Sequence, residues 1–361
     1  MQYKNNDRKL GLSGLMRVKD DAATLAQSID SCIDAVDELI ITYHDCTDGS
    51  VQIIESKKFQ YPNKIIVVPY PYYVIGVGAT EEEYEYAKTL PVGHPQLLAS
   101  YYNNALQYVN FKYVVKIDAD QLYFTQALQE LRNAIVKGVK QNKLARLCGK
   151  LINEVFCQRR GNRRIWSKYH PIHYLQYVFV PIFRKQYVEY AISELLKGNG
   201  YLSLSGVNVL RIENQWYSPI TLWPFNGIGD HLVFEADEET EFFPWDFKPS
   251  SGRRTLVDPS MSVMIERFDY PRDKIIFLLG FFWFHLKAMK DNQFVSDLTG
   301  HMEELLSIDR FGEVSFNSLM CHLDESRSDY YYKRNFHNFV YNLDKKTIKD
   351  SIPSLDCLFV Q

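Results

Sequence analysis

Between Leu10 and Asp118 the chain alternates two hydrophobic periods, and that alternation restricts what it can fold into. LGLSGLM (10–16), ELIITYH (38–44), NKIIVVPY (63–70) and KYVVKI (112–117) are rich in β-branched and aromatic residues and read as strands. DDAATLAQSIDSCIDAV (20–36), VQIIESKKF (51–59) and QLLASYYNNALQYV (96–109) carry apolar residues at helical spacing, the first with Asp20 as its expected N-cap. A β-α-β-α-β-(insert)-α-β order is that of an α/β protein with an open, mostly parallel sheet flanked by helices. In such sheets a ligand sits beyond the carboxyl ends of the strands.

The insert, Pro71 to Pro95, contains Gly76, Gly78, Gly93 and the acidic piece EEEYEY (81–86), and reads as a long loop, either functional or a solvated excursion. Beyond about residue 140 the rhythm changes. RLCGKLINEVF (146–156) reads as strand-rich, and QRRGNRRIWSKYH (158–170) as an exposed basic hairpin. YLSLSGVNVLRI (201–212) reads as two short strands around Gly206, and NGIGDHLVFEAD (226–237) as a turn opening a helix. From Arg272 helical spacing prevails through FLLGFFWFHLKAMK and the Tyr-rich basic tail. The expected organisation is a ligand-binding half (1–140), a mixed second half (141–270) and a helical C-terminal region (271–361).

Composition narrows the function classes. A chain of 361 residues can bury a substantial core, and its net charge of −3 argues against a nucleic-acid partner. Arg159, Arg160, Arg163 and Arg164 form a local exception, read as a solvated hairpin or a contact for an anionic acceptor or phospholipid head groups. The six cysteines show no C-x-x-C pair, as expected of free thiols in a reducing cytoplasm. MQYKNNDRKL lacks the apolar core of a signal peptide. IIFLLGFFWF (275–284) is about half a bilayer crossing, and is expected as a buried helix, with a peripheral membrane contact as the lesser alternative. The expected location is the cytoplasm, with the inner face of its membrane as the peripheral variant.

The chemistry concentrates at the expected carboxyl ends of strands. Asp118 and Asp120, two apart at the end of one strand, point to the same side of the sheet edge. Two adjacent carboxylates repel, and a divalent cation removes the conflict; their hard oxygens suit Mg²⁺ or Mn²⁺, which keep open positions for phosphates. Asp-x-Asp by itself is also common in calcium loops and solvated turns. Asp45, ending the second strand, should face the same cleft, where a carboxylate can accept the N3–H of a uracil. Asp48 and Ser50 are expected to form the turn and cap the next helix. Arg17 and Lys19 follow the first strand and could neutralise diphosphate charge.

Arg17-Val18-Lys19, Asp45-Cys46-Thr47-Asp48-Gly49-Ser50, Tyr70-Pro71-Tyr72, Ser100-Tyr101-Tyr102-Asn103 and Lys116-Ile117-Asp118-Ala119-Asp120 occur in an order that resembles GT-A glycosyltransferases of the family-2 type. Within that group the chain is most similar to bacterial lipooligosaccharide β-1,4-N-acetylgalactosaminyltransferases, over roughly residues 10–135. The resemblance implies a GT-A fold with an acceptor-binding second half, a UDP-sugar donor, Mn²⁺ or Mg²⁺, a glycan or glycolipid acceptor and inversion at the anomeric carbon. It makes Asp120 the direct metal ligand and gives Asp118 the ribose or a water on the metal. Arg17, Lys19, Asp45, Tyr70 and Lys116 become donor-site residues. Asp230, in Gly227-Ile228-Gly229-Asp230-His231, corresponds to the acidic motif that supplies the general base, a helix N-cap being its blander role; Glu235 and Asp246 stand in reserve. His285 is a candidate late metal ligand against the commoner role of a satisfied core histidine. Family-2 members usually carry Lys-Asn-Glu where this chain has Lys19-Asp20-Asp21, so Asp20 has no role carried over.

Three other classes compete. A phosphatase with a nucleophilic Asp needs D-x-[TV] after its first strand, whereas this pair follows about the fourth and Leu122 fills the last position. A catalytically silent nucleotide-binding module of the same fold has little need for metal ligands. A nucleotidyltransferase would want glycine in the loop after the first strand, and RVKDD has none.

Overall fold

The structure is a computed structural model and describes residues 8–76, 79–140, 143–157, 172–220, 224–227, 229–238, 240–247, 263–268, 274–286, 305–319 and 330–356. The expected hairpin at 158–170 lies outside these residues. The chain divides into two compact units, Met1–Gln121 with Glu235–Arg272, and Leu122–Phe234 with Asp273–Gln361.

The first unit is the α/β arrangement expected from the alternation. Its elements are β1 (Lys9–Val18), α1 (Leu25–Cys32), β2 (Glu38–Tyr43), α2 (Ser50–Gln60), β3 (Ile65–Pro69), α3 (Glu81–Thr89), α4 (Leu98–Leu106) and β4 (Phe111–Asp118). The strands lie in the order β3-β2-β1-β4, all parallel. The chain therefore winds outward from β1 to β3 and returns to the other side of β1, which makes the β1/β4 junction a topological switch point. Leu12, Leu15, Met16, Leu39, Ile40, Ile41, Val114, Val115 and Ile117 are fully buried, so these strands are covered on both faces. At the amino ends of the strands a buried carboxylate is fully used: Glu38 accepts from Ser13 Oγ (2.6 Å), Asn110 N (2.7 Å) and Asn110 Nδ2 (2.9 Å).

The insert is not all loop. Residues 81–89 form α3, and Thr80 and Glu83 close a reciprocal capping box at its start. The helix starting after Asp20 also begins later than expected, at Leu25, so Asp20 is not its N-cap. An antiparallel ribbon, Phe242–Phe247 with Val263–Phe268, returns to this unit from late in the chain and packs on α4. Asn103 fastens it, donating to Phe242 O and accepting from Phe242 N, both at 2.8 Å.

In the second unit the buried strand Gly200–Asn208 pairs parallel with Ile275–His285 and antiparallel with Leu232–Glu235 and Phe225–Asn226. A small antiparallel sheet joins Leu210–Ile212, Gln215–Pro219 and Leu305–Ser307. Four sequence readings are corrected here. Residues 146–156 are helical, in Lys143–Ile152 and the turn after it, as their Ala, Leu, Lys and Arg content favours. Residues 201–208 form one continuous strand. Leu232–Glu235 is a strand, so Asp230 precedes a strand and caps no helix. Ile275–His285 is a strand where a buried helix was expected, because an unbroken apolar run has no period and its aromatic residues suit a strand buried on both faces. The tail is helical as read, over Tyr330–Ser351 with a break at Asp344.

Candidate active site

The carboxyl ends of β1, β2 and β4 gather Arg17, Lys19, Asp45, Asp118 and Asp120 on adjacent strands. Arg17 lies opposite Asp118 in the β1/β4 register, and its Nε is 3.8 Å from Asp118 Oδ1. Lys116 and Asp118, two apart, share one face of β4 with Arg17, and the ring of Tyr102 on α4 lies over both cations, 6.0 Å from Arg17 Cζ and 5.2 Å from Lys116 Nζ.

The turn carrying the two carboxylates is held from below by α1. Thr24 Oγ1 donates to Ala119 O and Ser28 Oγ to Asp118 O, each at 3.0 Å. The main chain of Asp118-Ala119-Asp120 is thus tied independently of what the carboxylates bind. Among the described residues no third His, Cys, Asp or Glu joins them in a metal-sized cluster. Two hard carboxylates on a braced turn, beside a guanidinium that offsets anionic charge, fit a Mg²⁺ or Mn²⁺ ion that keeps several positions for phosphate oxygens.

The loops after β1 and β2 clasp one another. Asp20 and Asp45 both have left-handed backbone, φ 53° and 42°, conformations that are costly for residues other than glycine and that cluster at functional sites. Asp20 Oδ1 accepts from Thr47 N at 2.6 Å and Asp48 N at 3.3 Å, and Asp20 Oδ2 pairs with Lys19 Nζ at 2.8 Å. Partial burial opposes ionisation of Asp20, but Lys19 and the two amides outweigh it and hold the carboxyl at about 2. Asp48 Oδ2 accepts from Ala22 N and Asp48 Oδ1 from Ser50 N, both at 2.9 Å. Asp48 thus bridges back to the β1 loop as well as meeting the start of α2. Lys19 Nζ donates to Asp45 O and lies 3.5 Å from Asp45 Oδ2, so its charge bridges the two loops. The Asp45 side chain is about half exposed at the edge.

Other expected donor residues are placed deeper. Lys116 is 2% exposed and its ammonium pairs with Glu266 of the ribbon at 2.6 Å; it supports the edge from beneath and does not line it. Tyr70 is buried, donates to Pro95 O at 2.8 Å and packs on Tyr72 and Tyr101. Its neighbours Tyr72 and Tyr73 keep exposed rings. Of the reserve bases, Glu235 pairs with Lys112 at 3.1 Å, near the start of β4 and about 20 Å of strand from Asp118. Asp246 accepts from Tyr84 Oη at 2.7 Å.

Asp230 and His285 belong to the second unit. Asp230 is exposed at the turn whose Gly227 and Gly229 have φ of 85° and 82°, and its Oδ2 lies 3.5 Å from His231 Nδ1. The Gly229 amide donates to Ser203 Oγ at 2.8 Å, anchoring that turn to the buried strand. His285 ends its strand with Nδ1 2.8 Å from Asn208 Oδ1; with Nδ1 donating, the lone pair sits on Nε2.

Sequence reasoning missed Glu266, the latch role of Asp20 and the braces Thr24 and Ser28. Only the last had a local signal, hydroxyls one turn apart at a helix start.

Residues 2–144, less than half of the chain, match a family described as β-1,4-N-acetylgalactosaminyltransferase (CgtA). A search of curated proteins finds no match. Among solved structures, glucosyl-3-phosphoglycerate synthase from Mycobacterium tuberculosis in complex with Mn²⁺, UDP and glucosyl-3-phosphoglycerate is 16% identical, over 41% of this chain and 50% of that one, with a TM-score of 0.23. The same synthase with Mg²⁺ and UDP gives the same figures. With Mn²⁺, UDP and phosphoglyceric acid it is 15% identical over 45% and 52%, again at 0.23. The chain spans about half the length of these structures. The family match alone bears out the glycosyltransferase resemblance read from the sequence over roughly residues 10–135.

Proposed function

We propose that the protein is an inverting, metal-dependent glycosyltransferase that moves a hexose or N-acetylhexosamine, N-acetylgalactosamine first among them, from a UDP-sugar to a bacterial surface glycan such as lipooligosaccharide, lipopolysaccharide or capsule. The observation that carries the reading is the meeting of Asp118, Arg17 and the Asp45 loop at the switch point of a parallel sheet, within a segment that matches a glycosyltransferase family. The known structures with UDP and Mn²⁺ or Mg²⁺ suggest the same donor chemistry here.

In this reading Asp120 and Asp118 hold Mn²⁺ or Mg²⁺, which when bound supplies a Lewis acid for the departing diphosphate. Asp45 accepts the uracil N3–H, its backbone preset by the Lys19–Asp20 clasp. Arg17 offsets the diphosphate charge. Asp230 takes the proton of the acceptor hydroxyl as that oxygen bonds to the anomeric carbon and the bond to UDP breaks, the electron pair leaving with UDP. His285 is kept as a late ligand candidate. The acceptor is a glycan or glycolipid, and the reaction belongs on the cytoplasmic side of the membrane.

A panel of UDP- and other nucleotide-sugars with Mn²⁺ or EDTA tests this, read by donor turnover, thermal shift and the anomeric configuration of the product. Mn²⁺-dependent stabilisation by UDP with turnover of one UDP-sugar is expected. Stabilisation without turnover of any donor points to a silent module, and phosphate release without sugar transfer to a phosphatase.

A further inference from the structure

The second unit carries two helices whose outward faces are apolar. On Lys143–Ile152, Ala145, Gly149 and Ile152 are buried and the helix packs on Arg184–Leu196. The approach is close enough that a Cβ on Gly149 would meet Tyr190 Cβ at 2.3 Å. At about 100° per residue, Leu144, Leu147 and Leu151 then form the opposite stripe, and all three are more than half exposed. Lys143, Arg146 and Lys150 run beside that stripe. The helix Ile172–Ile182 contains no charged residue; Val180 is buried, while Leu175, Val178 and Ile182 are exposed at one-turn spacing. It packs on Arg184–Leu196 and on the C-terminal helix Tyr330–Ser351. Six bulky apolar side chains left in water on two helices that both pack on Arg184–Leu196 exceed the scattered exposure normal for a soluble surface.

Charge indicates what covers them. From residue 143 to 189 the sequence has ten Lys and Arg against two carboxylates, Glu154 and Glu189, within a chain of net charge −3; Lys150 pairs with Glu154 at 3.7 Å and Lys185 with Glu189 at 4.0 Å. An apolar stripe bordered by cations is the pattern of a helix lying in a membrane interface, with leucines in the acyl boundary and ammonium and guanidinium groups among phosphates. A second copy of the chain would bring together two segments that are both cationic in sequence, and a nucleic acid would leave the leucines unburied. We infer that the outward faces of Lys143–Ile152 and Ile172–Ile182 form a docking surface for an anionic phospholipid bilayer. No described helix is long and apolar enough to cross a membrane, so the contact is peripheral.

The test is co-sedimentation of the full chain with vesicles of phosphatidylcholine alone and of phosphatidylcholine with about 30 mol% phosphatidylglycerol. Binding to the anionic vesicles only, falling with salt, is expected. Leu147→Glu/Leu151→Glu and, separately, Val178→Glu/Ile182→Glu should each weaken it at least tenfold while circular dichroism and Tm stay unchanged. Absence of binding to the anionic vesicles, or equal binding by both folded variants, overturns the proposal. A dimer that both variants convert to monomer, with vesicle binding unaffected, assigns the faces to a second copy instead. The measurement uses neither donor nor acceptor, so its failure is separate from any failure of the transferase reading.

Discussion

Arg17 and Asp118 face each other across the β1/β4 junction, Nε 3.8 Å from Oδ1, at the point where the chain reverses its direction of winding. Arg17 Nε is buried and makes no hydrogen bond of its own. The pair thus places a carboxylate and a cation side by side where an anionic ligand of a parallel sheet binds. Arg17→Ala should leave the sheet folded but weaken UDP binding in the presence of Mn²⁺ by about tenfold, near 1.4 kcal/mol, the scale of one charge-assisted contact. Isothermal titration of UDP would check it, and an unchanged affinity would remove Arg17 from the donor site.

Asp120 is partly exposed on a turn whose main chain is held by Thr24 and Ser28, so its carboxylate is not needed to shape that turn. Asp120→Ala is expected to abolish transfer and the Mn²⁺-dependent part of UDP binding with little change in Tm. Retained activity would sink the metal assignment. Thr24→Val is the companion variant: with the carboxylates intact but the turn loosened, metal affinity should fall less than in Asp120→Ala.

Lys116 and Glu266 form the buried pair beneath the edge, their side chains 3% and 7% exposed. Removing one partner strands the other's charge, which costs about 3–5 kcal/mol, whereas an apolar pair of similar volume is tolerated. Lys116→Met and Glu266→Leu should each destabilise strongly in urea denaturation, and the double variant should recover most of the loss. Additive losses would show that the two charges are not coupled.

Asp230 is exposed at a glycine turn that Ser203 anchors, with its Oδ2 3.5 Å from His231 Nδ1. Asp230→Asn should keep UDP affinity and Tm while kcat falls by at least about a hundredfold, the usual contribution of a general base. Normal turnover would move the base to another residue.

What could be read in the sequence follows from how each segment is buried. β1, β2 and β4 are short runs closed by turn residues, and α1 and α4 each bury one face, so their periods are plain and the strand order follows. Asp45 and Asp118 were locatable because a strand's carboxyl end is a position in sequence as well as in space. Glu266 was not, since it meets Lys116 from 150 residues away and no spacing announces it. Asp20 was read as a cap because Asp suits a helix start equally well; its partners, the amides of Thr47 and Asp48, lie on the next loop. Ile275–His285 shows the other limit: with no polar residue until His285, it carries no period to separate strand from helix.

His44 provides a pH signature for the same edge. It precedes Asp45, is 5% exposed, meets Tyr101 edge-on at 5.1 Å, and its Nδ1 has no hydrogen-bond partner. Burial, helped by the Lys19 charge, lowers its pKa from 6.5 to about 4. Between those values the unfolded chain binds the proton and the folded protein does not, so stability rises with pH across this window. The contribution is present in full above pH 6.5 and is lost as the pH falls towards 4. Between pH 7.5 and 5 the loss from this one group is about 2 kcal/mol. Asp20, with its carboxyl at about 2 against 3.8 for the free group, titrates below that window and does not confuse it. His44→Phe keeps a ring against Tyr101 without a titrating group, so its urea stability should change about 2 kcal/mol less than the parent's between pH 7.5 and 5. Parallel pH profiles for the two proteins would mean that His44 is protonated in the folded state, and that the loop carrying Asp45 is more open than this packing describes.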